Sequence, residues 1–137
     1  MERDSKTDVR PFRGSHYALR SCELHAMEVE WANLIADQLA QMEPWRTLAY
    51  TPEALGRYLS AGGQDSMRFA VLREETIAGV VCVRFPWLRG AYLELIGLFP
   101  QAQGQGIGRA VCEWLEQEIS GNADKMWKIV YQFNLYE

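Results

Sequence analysis

The sequence predicts an α/β domain built on a mixed α+β sheet, and three observations carry that expectation. Apolar residues alternate with a period of two through much of 67–99. Helical spacing frames that stretch on both sides. A glycine-rich loop then joins a strand to a helix that is itself followed by a strand.

At 137 residues the chain has the length of one domain and can bury a proper core. Its 48% hydrophobic and 23% charged residues match an ordinary globular protein, so a single domain over 16–137 is expected. Residues 1–15 are polar, mixed in charge and carry Pro11 and Gly14, which reads as a flexible lead-in. A net charge of -4 with no Lys/Arg run argues against nucleic acid as a partner. The first residues are charged and lack the apolar stretch of a signal peptide, and every apolar run is broken before it could span a bilayer. Cys22, Cys82 and Cys112 are scattered, odd in number and set in apolar patterns, as reduced core thiols are. With no Cys-x-x-Cys, and with His16 and His25 near neither Cys82 nor Cys112, no metal is expected. These features point to a soluble cytoplasmic protein without a membrane partner.

Each element has its own signal. Residues 16–22 suit a first strand. Over 23–42, Leu24, Met27, Trp31, Leu34, Ile35, Leu39 and Met42 recur at helical spacing, and Pro44 closes the helix. A second helix has Thr51 as cap, Pro52 at its first position and Glu53 at its positive end, and carries Leu55, Tyr58 and Leu59 inward. Residues 67–72, 77–85 and 91–99 read as three strands with connections too short for anything but an antiparallel meander. A helix over 107–120 with the stripe Ile107, Val111, Trp114, Leu115 and Ile119 follows, ended by Gly121. The β-branched and aromatic run 126–133 completes a parallel crossover.

The loop between the third strand of the meander and the following helix carries the chemistry. Gly104, Gly106 and Gly108 alternate just where a helix start leaves amides unpaired and partially positive. Glycines there permit left-handed backbone angles and let a phosphate approach the donors, and Arg109 adds a full charge. A tight turn alone needs fewer glycines. A P-loop is excluded because no Gly-Lys-Ser/Thr follows, and the dinucleotide fingerprint fails because Arg109 stands at its third glycine.

The run from Leu98 through Gln103, Gly104, Gln105, Gly106, Ile107 and Gly108 resembles the acetyl-CoA signature of the GNAT superfamily of N-acetyltransferases, Gln/Arg-x-x-Gly-x-Gly/Ala. Gln103, Gly106 and Gly108 fill its defining positions, and the order of elements over 17–134 agrees with it. The resemblance implies a GNAT-like acyl-CoA N-acyltransferase fold. Main-chain amides from Gln103 to Arg109 would hold a CoA pyrophosphate. The main chain of Ile96 and Leu98 would pair with the pantetheine arm on a strand splayed from its neighbour, and Asn134 would join the cofactor side. The expected reaction is transfer of acetyl from acetyl-CoA to a primary amine of a small molecule or protein. The alternative is a CoA-binding module without catalysis.

Glu94, on the strand leading into the loop, is the candidate base. Alternation places it with Tyr92, Ile96 and Leu98, an apolar set expected to raise its pKa. Cys82 as a nucleophile has no histidine partner in the pattern. In similar proteins the region of Trp31, Trp45, Tyr50 and Tyr58 shapes the acceptor pocket; Trp31 suits the core, whereas Trp45 and Tyr50 suit a wall of that pocket. In similar proteins the last strand here is followed by a helix carrying a tyrosine acid and by two more strands, but this sequence ends three residues after Asn134. A C-terminally shortened fold would leave 126–133 as an open edge. Either a second copy covers that edge as a homodimer, or the chain is shortened relative to its ancestor.

Overall fold

A computed structural model describes residues 11–87, 90–122 and 128–131 of the chain. Six strands form one sheet in the order β1-β2-β3-β4-β5-β6. In chain order these are β1 (His16–Ala18), β2 (Glu23–Ala26), α1 (Val29–Leu39), α2 (Pro52–Ser60), β3 (Ser66–Arg73), β4 (Thr76–Trp87), β5 (Gly90–Leu98), α3 (Ile107–Asn122) and β6 (Lys128–Tyr131). The first five strands pair antiparallel and β6 runs parallel to β5, as the meander and the crossover predicted.

Two cores sandwich the sheet. On one face Val71, Val81, Val83, Leu93, Ile96 and Leu98 pack with Ile107, Val111, Trp114 and Leu115 of α3. On the other, Ala70, Val80 and Cys82 pack with Ile35 and Leu39 of α1 and Leu55 and Leu59 of α2. The stripe expected on α3 is the one buried. The helix runs through Gly121 to Asn122 rather than stopping at the glycine. Thr51 caps α2 as expected, its side chain accepting from the Ala54 amide at 3.0 Å. Among the described residues no helix is long and apolar enough to cross a membrane.

The N-terminal part differs from the sequence expectation. Leu24 and Met27 fit a helical stripe, yet residues 23–26 form a strand, because they pair with β3 from Glu23↔Leu72 to Ala26↔Phe69. Leu24 is fully buried in the core beneath α3. A long-range ladder outweighs local spacing here. The helix begins only at Val29, and its buried stripe is Ala32, Ile35, Ala36 and Leu39, which leaves Leu34 turned to solvent. Phe12, inside the stretch read as lead-in, is 1% exposed and makes edge contacts with Phe85 and Trp114, while its amide donates to Glu118 Oε1 at 2.9 Å. A single aromatic with a strong apolar payload fixes this segment to the domain.

β3, β4 and β5 are the frame on which the loop and Glu94 depend, and one close approach fixes their spacing. A Cβ added to Gly79 would lie 2.1 Å from the Gly97 carbonyl oxygen and 3.0 Å from Leu98 Cα, so a side chain cannot be accommodated without moving backbone. At Gly63 an added Cβ would meet nothing within 4 Å. Gly79→Ala should therefore lower the unfolding free energy by roughly 3 kcal/mol, the upper end of ordinary overpacking costs. Gly63→Ala should stay within about 0.5 kcal/mol of the parent. Urea denaturation of the two variants side by side checks the contrast.

Candidate functional site

The site has two halves joined by β5. After Leu98, Phe99 is buried on the face of α1 and α2, and its amide donates to Ala78 O at 2.8 Å. One turn of 3-10 helix, Pro100–Ala102, follows with Ala102 buried. Gly104 and Gly106 then adopt φ of +76° and +83°, the left-handed region that glycine enters without a Cβ penalty. An added Cβ at either would meet nothing within 4 Å. Their requirement is thus conformational, and the space in front of them is open to a ligand.

Ala110 N donates to Gly106 O at 3.0 Å as the helix starts. The amides of Ile107, Gly108 and Arg109 precede that bond and have no helical acceptor. Ile107 itself is a core anchor, 1% exposed, so the first turn is held rigidly while its amides stay available. Arg109 is exposed. Gln103 has a different task from the one expected. Its amide is already used on Pro100 O at 3.3 Å, and its side chain donates to the Leu98 carbonyl at 2.9 Å. It closes the base of the loop. Gln105 does similarly at the rim, donating to Gln101 O at 3.1 Å.

Beside the loop, the described pairing of β5 with its parallel neighbour covers only its first half. Pairing with β6 covers Gly90 to Leu93, and among the described residues none of Glu94 to Leu98 is paired on that side. Main-chain groups point to alternate edges along a strand. Phe99 bonds toward β4, so Gly97 does as well, and the polar groups of Ile96 and Leu98 face the open side. The Leu98 oxygen already accepts from Gln103. Asn134 and the strand residues beyond Tyr131 lie outside the described residues.

The second half is Glu94, and here the sequence reading needs correction. Val83 pairs with Leu93 but Cys82 pairs with Leu95, so Glu94 is an extra residue in the ladder, a β-bulge. The bulge resets the alternation. Ile96 and Leu98 are buried beneath α3, while Glu94 turns to the face of α1 and α2. Its surroundings are not an apolar set. Tyr58 Oη donates to Glu94 Oε1 at 2.8 Å, and Arg84 Nε donates to Oε2 at 3.0 Å. The Glu94 side chain is 19% exposed, which leaves the carboxylate a path to solvent.

Tyr58 is the hub of this polar cluster. Burial, the neighbouring Cys82 and the bond to Glu94 all raise its pKa, so the phenol stays protonated and acts as a donor. The Arg68 guanidinium lies 4.3 Å from the ring centroid, its Nε donates to Tyr58 O at 2.8 Å, and its Nη1 bonds Ser66 Oγ. From sequence, Tyr58 reads as an inward residue of its helix and, through the family resemblance, as part of the region that shapes the acceptor pocket, whereas Arg84 has no role. A signal existed for Arg84, the lone charge inside the apolar strand 77–85. Trp45, expected at the acceptor wall, is instead core. It is 8% exposed, and a Cβ on Gly97 would come within 3.2 Å of its ring. Tyr50 is half-exposed on the loop between α1 and α2. A cavity of about 350 Å³ lies elsewhere, lined by Arg13, Met27, Leu59, Met67 and Arg68 among others, with neither Glu94 nor any loop residue in its wall.

Comparison with known proteins agrees with the fold. A family model described as the acetyltransferase (GNAT) family matches residues 28–135. No curated protein matches by sequence. Among solved structures, a transcriptional regulator from Bacillus halodurans C-125 is similar with a TM-score of 0.65 at 17% identity, covering 83% of each chain. An acetyltransferase from Thermus thermophilus gives 0.61 at 19% identity, covering 74% of this chain and 71% of that one. RimL, a ribosomal L7/L12 alpha-N-protein acetyltransferase in complex with coenzyme A, gives 0.57 at 18% identity over 80% and 70%. At such identities the likeness is one of fold.

Burial disfavours the thiolate form of Cys82, behind Tyr58, and of Cys22, at the far edge of the sheet. Burial pushes Cys82 up to about 12, with Arg68 only partly opposing it, and pushes Cys22 up to about 11. At pH 8 both thiols are therefore overwhelmingly protonated. Folded protein treated with a disulfide-exchange reagent at pH 8 should leave both thiols unmodified, whereas protein in guanidinium should react at every cysteine. Peptide mass mapping of Cys82 and Cys22 reads the result.

Proposed function

The chain belongs to the GNAT family of acetyltransferases, and from that premise we propose that it transfers an acetyl group from acetyl-CoA to a primary amine of a small molecule or a protein. The observation that carries this reading is the combination of two left-handed glycines at the start of α3 with an edge of β5 that, among the described residues, is unpaired from Glu94 to Leu98. A diphosphate fits the first because unpaired amides and the helix dipole meet it there. An extended amide-bearing arm fits the second because it can pair like a strand.

The amides of 104–109 take the pyrophosphate, Arg109 adds charge, and the main chain of Ile96 and Leu98 orients the pantetheine arm. Asn134, carried from the family resemblance, belongs to the same cofactor side. Gln103 acts through the loop base rather than as a donor. The acceptor amine reaches the thioester from the side of Glu94. It loses its proton to that carboxylate, directly or through one water, and its nitrogen lone pair forms the bond to the carbonyl carbon. The C–S bond then breaks, the nitrogen gives its remaining excess proton to solvent as the amide forms, and the CoA sulfur leaves as thiolate and takes a proton from solvent. Arg84 and Tyr58 hold Glu94 in one orientation and leave it further lone-pair sites for the incoming proton. No disulfide joins the described cysteines, which suits a cytoplasmic setting.

A second reading, a CoA-binding module without turnover, is favoured by one observation: both Glu94 oxygens are already engaged. A thiol-release assay over a panel of amines, run beside calorimetric titration with CoA, separates the two. The enzyme reading expects turnover with at least one amine. It also expects Glu94→Gln to lower kcat by roughly 10²–10⁴-fold, with the KM for acetyl-CoA changed by less than about threefold. Gly106→Val should instead weaken CoA binding, because a β-branched residue resists the left-handed angle. Tight CoA binding without release from any amine would establish the module reading.

A further inference from the structure

The edge of the sheet farthest from the acyl-CoA loop carries a second constellation. β1 is three residues long and pairs with β2. The register sets His16 directly opposite His25, and Glu23 lies two residues before His25, hence on the same face. Glu23 Oε1 is 3.4 Å from His16 Nε2 and 3.1 Å from His25 Nε2. The three ligand atoms all lie within 4.8 Å of one another. The two imidazole centroids are 4.5 Å apart, so both rings turn an edge toward one carboxylate oxygen. Trp31 packs edge-on to His25 at 5.9 Å, giving that ring a neighbour on the side of α1.

We propose that His16, Glu23 and His25 form a binding site for a late first-row divalent cation such as zinc. A tetrahedral ion with Zn–N and Zn–O bonds of roughly 2.0–2.1 Å spaces its ligand atoms about 3.3 Å apart. The two carboxylate-to-imidazole distances bracket that value, and the two imidazole nitrogens, within 4.8 Å of each other, close toward it on binding. Two imidazole nitrogens with one carboxylate oxygen select zinc, nickel or copper over magnesium and calcium, which take oxygen ligands. The side chains are 49%, 54% and 30% exposed, so the ion can enter from solvent, and water completes its coordination. The bland account of the cluster is a carboxylate shared by two imidazoles. Such surface pairs hold their partners weakly, whereas an ion would bind β1 to β2 across the strand gap and pin the short edge strand. Nothing in this site depends on acetyl transfer.

The test is calorimetric titration of zinc chloride into the full chain, freed of tag and stripped of metal, under reducing conditions. One equivalent should bind. His25→Gln and Glu23→Gln should each weaken binding by at least about tenfold, as loss of a ligand or its support does, and Cys112→Ser should leave it unchanged. All three are surface or half-buried positions, and circular dichroism verifies that the variants fold. In the parent chain, the imidazole proton resonances of His16 and His25 should shift together on zinc addition and not on magnesium addition. Absence of binding, binding that His25→Gln leaves intact, binding abolished by Cys112→Ser, or histidine resonances indifferent to zinc would each overturn the proposal.

Discussion

A single extra residue in β5 governs the relation between core and site. Glu94 interrupts the ladder with β4, and everything beyond it is displaced by one step. In a strand one step exchanges the two faces and the two edges. The step sends the Ile96 and Leu98 side chains into the core beneath α3, and their polar main-chain groups toward the edge that, among the described residues, β6 does not pair. It also aims Glu94 at Tyr58 and Arg84 on the other face. The bulge is therefore the common cause of an anchored strand, an available edge and an oriented carboxylate.

The polar cluster on Glu94 is better understood as positioning than as stabilisation. Arg84 is 40% exposed, and at that exposure an ion pair contributes little to folding. Its bond to one carboxylate oxygen and that of Tyr58 to the other fix the group in rotation and depth. Arg68, only 8% exposed, secures Tyr58 in turn through the tyrosine's own carbonyl and ring. A carboxylate held in one orientation is what the proposed role of Glu94 as base requires.

What could be read from the sequence follows the range of the interactions involved. The Gly104–Gly106–Gly108 alternation, the Thr51 cap and the α3 stripe are local, set by a few neighbouring residues, and the structure keeps them. The three-stranded meander was legible because its short connections permit little else. β2 was not, because Leu24 and Met27 satisfy a helical period equally well and the decision rests with β3, far along the chain. The bulge was invisible for a related reason. A period of two does not register an inserted residue until the partner strand is aligned beside it. That one omission misassigned the face of Glu94 and its surroundings. Trp45 was misjudged because a loop position suggested exposure, whereas the bare backbone of Gly97 makes a seat for its ring. His16, Glu23 and His25 are brought together only by the β1–β2 register.

The central claim is that one contiguous surface, the first turn of α3 and the open edge of β5, receives the cofactor. Amide-resolved nuclear magnetic resonance with CoA added stepwise tests it most directly. The account predicts that the largest shifts fall on the amides of 104–109 and of Ile96 and Leu98, with those of β1 and β2 unmoved. Saturable CoA binding that leaves the loop amides in place and moves another region would contradict it.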